Sequence, residues 1–261
     1  MRSYSANGVV VKRIDLGEKD RIITIFTKEY GKISAVAKGA RRPGSKLAGA
    51  SELMSYSKLF LSKGKDLDIL TQADIKESFP NVRCNLNSLA HAIYILELAS
   101  SFVDENQPNP DLFDNMLSTL YVLEAGTDPE ISARYFEMGL LKLQGYEPHF
   151  EECVKCGCTE FDEKISFNVI LGGVECGKCR PFPIDSMMIR SALCSYVDVL
   201  RKSQPQELKN LKFPIGAKRE LEKVLKWHIR YRLEKELKSF EFIKIIEDMQ
   251  NAVCNNSEDS K

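Results

Sequence analysis

Arg21-Ile22-Ile23-Thr24-Ile25-Phe26-Thr27, the turn Lys28-Glu29-Tyr30-Gly31, then Lys32-Ile33-Ser34-Ala35-Val36-Ala37-Lys38 form two β-branched runs around a short break. Runs of this kind bounded by turn residues read as paired strands. The same signal continues on both sides. Gly8–Lys12 precedes it across the turn Asp15-Leu16-Gly17-Glu18, and Tyr56–Leu61 and Leu67–Leu70 follow, joined through Ser62-Lys63-Gly64-Lys65 as a tight hairpin. Five short strands in the first 80 residues are the count of a small barrel. An OB-fold is the leading expectation, and a five-stranded SH3-like barrel would give much the same pattern.

Phe79-Pro80-Asn81 breaks the strand pattern, and from Leu86 the period becomes helical. Leu86, Leu89, Ile93, Leu96 and Val103 read as one face of a first helix, and Asp111–Leu123 as a second. A third starts at Gly126-Thr127-Asp128-Pro129-Glu130 and runs to Gln144, stopped by Gly145. Asp185–Leu200 and Gly216–Leu237 read as two more. The expected class is α+β: a barrel over 1–80, a helical domain in two parts over 81–150 and 185–250, and a cysteine-bearing module over 151–184 inserted between them. The polar tail, 251–261, is expected to be disordered.

Within that insertion, Cys153-x2-Cys156 and Cys176-x2-Cys179 are two knuckles separated by 19 residues. Each knuckle can wrap one side of a tetrahedral metal, with Gly157 and Gly172-Gly173 turning the chain between them. Four thiolates leave no open coordination position, so the expected ion is one structural zinc per chain. Cys158 breaks the two-residue spacing and is read as lying outside the shell. Buried free thiols or a redox pair are the bland alternatives.

The formal net charge of zero hides a segregation. Residues 1–80 hold 15 lysines and arginines against 9 acids, residues 81–152 hold 3 against 12, and residues 153–261 hold 19 against 16. One segment is thus suited to a polyanion and another is not. The basic excess peaks in the loop Lys38-Gly39-Ala40-Arg41-Arg42-Pro43-Gly44-Ser45-Lys46, whose guanidinium and backbone N–H groups suit phosphate oxygens. Lys12 and Arg13 join it as candidate phosphate contacts. Tyr56, Lys58 and Phe60 share a strand face, which is either a stacking platform or a surface half-covered by neighbouring structure. Arg219, Lys223, Lys226 and Arg230 make an acid-free helical stripe, either a solvated face or an extension of the basic track.

Catalysis has little support. The three histidines fall in no recognisable arrangement, and neither a Walker loop nor a GxSxG turn occurs. No uncharged stretch is long enough to span a bilayer, no secretory signal opens the chain, and the eight cysteines then suit a reducing cytoplasm.

Gly8–Val11, Asp20–Thr27, Gly31–Arg42 and Leu47 through Ala73, followed by Arg134–Leu141, Gly145-Tyr146, the cysteine module and Glu236–Ser239, resemble in that order the RecO family of bacterial recombination mediators. The resemblance implies an N-terminal OB-fold, a helical C-terminal domain and an inserted zinc module. It implies a cytoplasmic, nucleoid-associated, non-enzymatic repair protein that binds single- and double-stranded DNA and anneals strands. It further implies a partnership with RecR, through which RecA is loaded onto DNA coated by single-strand-binding protein. Arg134 matches a position implicated in docking the acidic C-terminal tail of single-strand-binding protein. The rivals are a zinc-ribbon adaptor that binds only proteins and an RNA-binding OB protein.

Overall fold

The computed structural model describes residues 3–179, 184–233, 237–246 and 249. The expected disordered tail, 251–261, lies outside the described residues, as does 180–183 of the cysteine module. The chain divides into two compact units, one of Met1–Ala125 with Leu237–Lys261, the other of Gly126–Glu236.

In the first unit, five strands close into a barrel in the order β1-β2-β3-β5-β4. They are β1 Ser3–Leu16, β2 Asp20–Thr27, β3 Gly31–Ala37, β4 Tyr56–Ser62 and β5 Asp68–Glu77. The long β1 serves two neighbours: Ser3–Val9 pairs with β4 and Gly8–Leu16 with β2. The register slips between Val10 and Lys12, a bulge that bends the strand from one partner to the other. Closure comes from the parallel pairing of β3 with β5, Ala35 to Asp68 through Ala37 to Leu70. This is the OB-fold, a partly open Greek-key barrel.

Alternation explains the filling. Along β3 the residues Ile33, Ala35 and Ala37 point inward to Val10, Ile23, Ile25, Leu59, Leu61 and Leu70. Gly8 is required by close approach, since a Cβ there would lie 2.6 Å from Ile25 Cγ2 and 3.0 Å from Thr27 Cγ2. Gly8→Ala is therefore expected to cost about 1–3 kcal/mol through overpacking. A thermal midpoint equal to wild type would show that the barrel absorbs the methyl without strain.

β4 and β5 form the expected antiparallel hairpin, but the connection is the five-residue loop 63–67, not a tight turn at 62–65. Asp68 organises it, accepting from the Gly64 N–H at 3.1 Å, from Lys63 and from the Tyr4 hydroxyl. That hydroxyl is buried against the Asp68 carboxylate, which pushes its pKa far above the usual tyrosine range.

Among the described residues, α1 Pro80–Cys84, α2 Leu86–Ser101, α3 Pro110–Glu124 and the helical stretch 239–246 pack into the same unit. The face expected on α2 is misplaced. Leu86 is exposed, Leu89 and Ile93 are half-buried and Val103 lies beyond the helix, while Ala90, His91, Ala92, Tyr94, Ile95, Leu96, Leu98 and Ala99 are all buried. A helix covered on several sides has no single apolar stripe, so a one-face reading undercounts its core. Glu97 accepts from the N–H groups of Lys238 and Ser239 at 3.1 and 2.8 Å, capping the 239–246 segment.

The second unit holds α4 Pro129–Leu143, a three-stranded sheet in the order β7-β6-β8, then α5 Ala192–Lys202 and α6 Ile215–Leu233. Residues 234–236 of the helix expected to reach Leu237 lie outside the described residues. The sheet strands are β6 Lys164–Asn168, β7 Gly173–Glu175 and β8 Ser186–Arg190. Here the single helix expected over Asp185–Leu200 is corrected. Its first third is β8, pairing Ile165 with Ile189 and Phe167 with Met187, and only the remainder is α5. The five residues of β8 give too short a window to separate period 2 from period 3.6, and the paired edge of β6 decides.

Candidate metal centre and nucleic-acid surface

The two knuckles meet. The sulfurs of Cys153, Cys156, Cys176 and Cys179 lie within 4.8 Å of one another. Backbone geometry explains the convergence. Gly157 takes φ +70°, a turn that an L side chain would strain, and its N–H returns to Cys153 O at 2.8 Å. The second knuckle closes through Cys179 N–H to Cys176 O at 3.1 Å. Cys156 and Cys176 are 3.7 Å apart at sulfur. A tetrahedron of metal–sulfur bonds near 2.3 Å has edges of about 3.8 Å, so the quartet fits a four-coordinate ion.

Burial alone would raise the Cys153 thiol, but N–H groups from Cys176, Lys155 and Cys156 outweigh it and lower its pKa, whereas hydrogen bonding to Cys156 raises that of Cys179. Glu175 is fully buried and paired with Lys155 at 2.9 Å, and Lys155 also donates to Cys179 O at 3.3 Å. This brace between the knuckles was missed in sequence, where Lys155 and Glu175 are simply two charges 20 residues apart.

On the barrel, the candidate phosphate contacts separate into two kinds. Arg41 is engaged, donating to Gly17 O at 2.6 Å and pairing with Asp15 at 3.5 Å. Arg13 is engaged by Glu52, which also holds Arg21 at 2.6 Å. Lys12, Lys38, Arg42 and Lys46 are exposed and form no ion pair among the described residues. The loop is nonetheless anchored: Ala40 plugs into the barrel core and Gly39 N–H donates to Asp20 at 2.7 Å. Its cations thus project from a fixed base.

The expected strand-face platform is partly covered. Tyr56 lies against Phe113 of α3 at 6.2 Å between ring centroids and beneath Lys76 at 5.0 Å. Phe60 carries Lys58 over its ring at 5.6 Å. Both rings are half-buried.

Arg134 sits on the buried face of α4 with only 5% of its surface exposed, and its guanidinium pairs with Glu137 at 2.8 Å. Helical spacing allows an intrahelical pair with either Glu130 or Glu137, and the partner here is Glu137, three residues on.

Among the described residues no helix is long and apolar enough to cross a membrane. Comparison with known proteins gives a consistent picture. Residues 1–79 match the family model described as "Recombination protein O N terminal" and residues 83–241 the one described as "Recombination protein O C terminal". The chain is similar to a protein named DNA repair protein RecO from Acetivibrio thermocellus, 36% identical over 95% of this chain and 98% of the relative. It is likewise similar to proteins of the same name from Desulforamulus reducens (34% identical; 93% of this chain, 94% of the relative) and Dehalococcoides mccartyi (35%; 90% and 93%).

Proposed function

The chain belongs to the recombination protein O family of DNA repair proteins, and from that premise we propose that it binds single- and double-stranded DNA and anneals complementary strands. With RecR, it helps load RecA onto DNA coated by single-strand-binding protein, acting in the cytoplasm at the nucleoid and without catalysis. The observation that supports DNA binding best is the set of exposed cations Lys12, Lys38, Arg42 and Lys46 on an OB barrel, unneutralised by acids among the described residues. Such cations exchange counterions for phosphates, so affinity is independent of sequence and steeply dependent on salt. Annealing comes from the family resemblance, and a cationic surface is compatible with it because it reduces repulsion between two phosphate chains without reading their bases.

Arg41 and Arg13 contribute differently. Their guanidinium groups hold Asp15, Gly17 O and Glu52, so they position the surface as well as charging it. The sharper test is therefore Lys38→Ala with Arg42→Ala and Lys46→Ala, which removes charge without removing an intramolecular pair. The log–log salt slope on single-stranded DNA should fall by about 0.7 for each lost phosphate contact, with an unchanged thermal midpoint. Wild-type affinity and slope would make the loop a solvated surface. A preference for RNA over both DNA forms in the same titration would favour RNA binding instead.

The metal at the cysteine quartet is proposed to be zinc, bound structurally through Cys153, Cys156, Cys176 and Cys179 with Cys158 outside the shell. The acidic tail of single-strand-binding protein is the proposed ligand of the helical region, with Arg134 as its anchor. Because Arg134 already holds Glu137, an incoming carboxylate must compete with that pair.

A further inference from the structure

On the second unit, Tyr146, Trp227, Arg230, Tyr231 and Arg232 line an open cleft of about 630 Å³. Three aromatic rings and two guanidinium groups around one hollow are an unusual concentration in a chain that has a single tryptophan. Trp227 and Tyr231 are four residues apart on α6, so their side chains stack one above the other along the helix. Tyr146 comes from the turn after α4 and is held in place from both sides. Its N–H donates to Leu141 O at 2.8 Å, and its carbonyl accepts from His228 Nε2 at 2.9 Å. Burial pushes the pKa of His228 below the usual histidine value. Arg232 lies 5.1 Å from the Tyr146 ring centroid and 5.3 Å from that of Tyr231.

Arg230 belongs both to this cleft and to the exposed row Arg219, Lys223, Lys226, Arg230. At 1.5 Å per residue that row extends about 16 Å along α6. Glu220, beside it in sequence, is tied to Arg190 at 3.1 Å, while Lys226 and Arg230 each engage a neighbour of their own that a phosphate would join or displace. Aromatic surfaces flanked by a track of positive charge match single-stranded nucleic acid, whose bases stack on the rings while successive phosphates follow the cations. An acidic peptide would use the cleft but not the length of the track.

We propose that this cleft is a second single-strand binding site, separate in sequence and in folding unit from the barrel loop, in which bases stack on Tyr146, Trp227 and Tyr231 and phosphates lie on Arg230 and Arg232. The proposal rests on the DNA-binding reading and deepens it.

Because Trp227 is the only tryptophan, its fluorescence reports this cleft and no other place in the chain. Titrating the full chain with a short oligothymidine should quench Trp227. Tyr231→Ala should weaken the quenching titration about tenfold, within the range for one lost base stack, whereas Tyr231→Phe should leave it unchanged. Both substitutions are at a half-exposed position and can be checked by thermal unfolding. The Lys38, Arg42 and Lys46 triple variant separates the two sites: total binding by gel shift falls while Trp227 is still quenched. If the wild-type chain shifts DNA with no change in Trp227 emission, the second site is overturned and the barrel site stands. If it shifts no DNA, both fall. If an acidic apolar peptide quenches Trp227 and oligothymidine does not, the cleft is a protein-docking surface and the proposal is equally overturned.

Discussion

Replacing Cys176 with serine is expected to abolish metal binding and to loosen the module around β6, β7 and β8. Cys176 is buried, with its sulfur 3.7 Å from that of Cys156 and its N–H 3.4 Å from that of Cys153, so its loss opens the quartet. Structural zinc in small modules carries about 10–16 kcal/mol of apparent binding free energy, most of it expressed as folding. The module should not vanish altogether, because Phe150, Ile165, Phe167 and Val174 are buried independently of the thiols. Elemental analysis of wild type should give about one zinc per chain, Cys176→Ser none, and Cys158→Ser one. Hydrogen exchange should quicken across 153–179 in Cys176→Ser while the barrel stays protected. Zinc retained in Cys176→Ser but lost in Cys158→Ser would reassign the fourth ligand.

Arg134→Ala is expected to be the most destabilising single change on α4. It removes the 2.8 Å ion pair from Glu137, which is fully buried, and leaves the cavity of a long side chain beside it. Breaking a buried pair from one side costs about 3–5 kcal/mol, because the remaining charge keeps its desolvation penalty. The midpoint of the second unit should drop by about 10 °C or more. Arg134→Met with Glu137→Leu should recover most of this, since replacing both removes the buried ion pair instead of breaking it from one side. The double variant then carries the functional question. If it folds as wild type and still binds the acidic tail peptide at wild-type affinity, Arg134 is structural and not the anchor. A wild-type midpoint for Arg134→Ala itself would refute the pairing argument.

Much of the architecture was legible because it is written in local periods. The β-branched runs at 21–27 and 32–38 became β2 and β3 within one residue at each end, since each faces a packed interior on alternate residues. Where a strand faces water the signal fades. The stretch from Thr71 to Glu77 of β5 is polar and largely exposed, and only its pairing with β4 reveals that it is extended. The same holds for Ile14–Leu16 at the end of β1. The cysteine quartet was legible for another reason: two short knuckles need only a chain reversal to meet, and Gly172-Gly173 supplies one.

The state of each charge was not legible. Arg41 and Lys38 lie three residues apart in one loop, yet one is spent on Asp15 and Gly17 O while the other stays exposed. Arg13 is claimed by Glu52, 39 residues away. Arg134 stood out in sequence as a rare cation in an acidic segment, which invites an exposed role, but α4 turns it inward onto Glu137. Likewise Tyr146 and Trp227 lie 81 positions apart, and only the packing of α6 against the turn after α4 brings them to one cleft. By itself the sequence determined the barrel strands, the place of most helices and the meeting of the four cysteines, since each arises from spacing within a short window. Which cations remain available and which aromatics converge was decided only by tertiary structure, because Coulomb and stacking energies depend on through-space distance, to which chain separation is no guide.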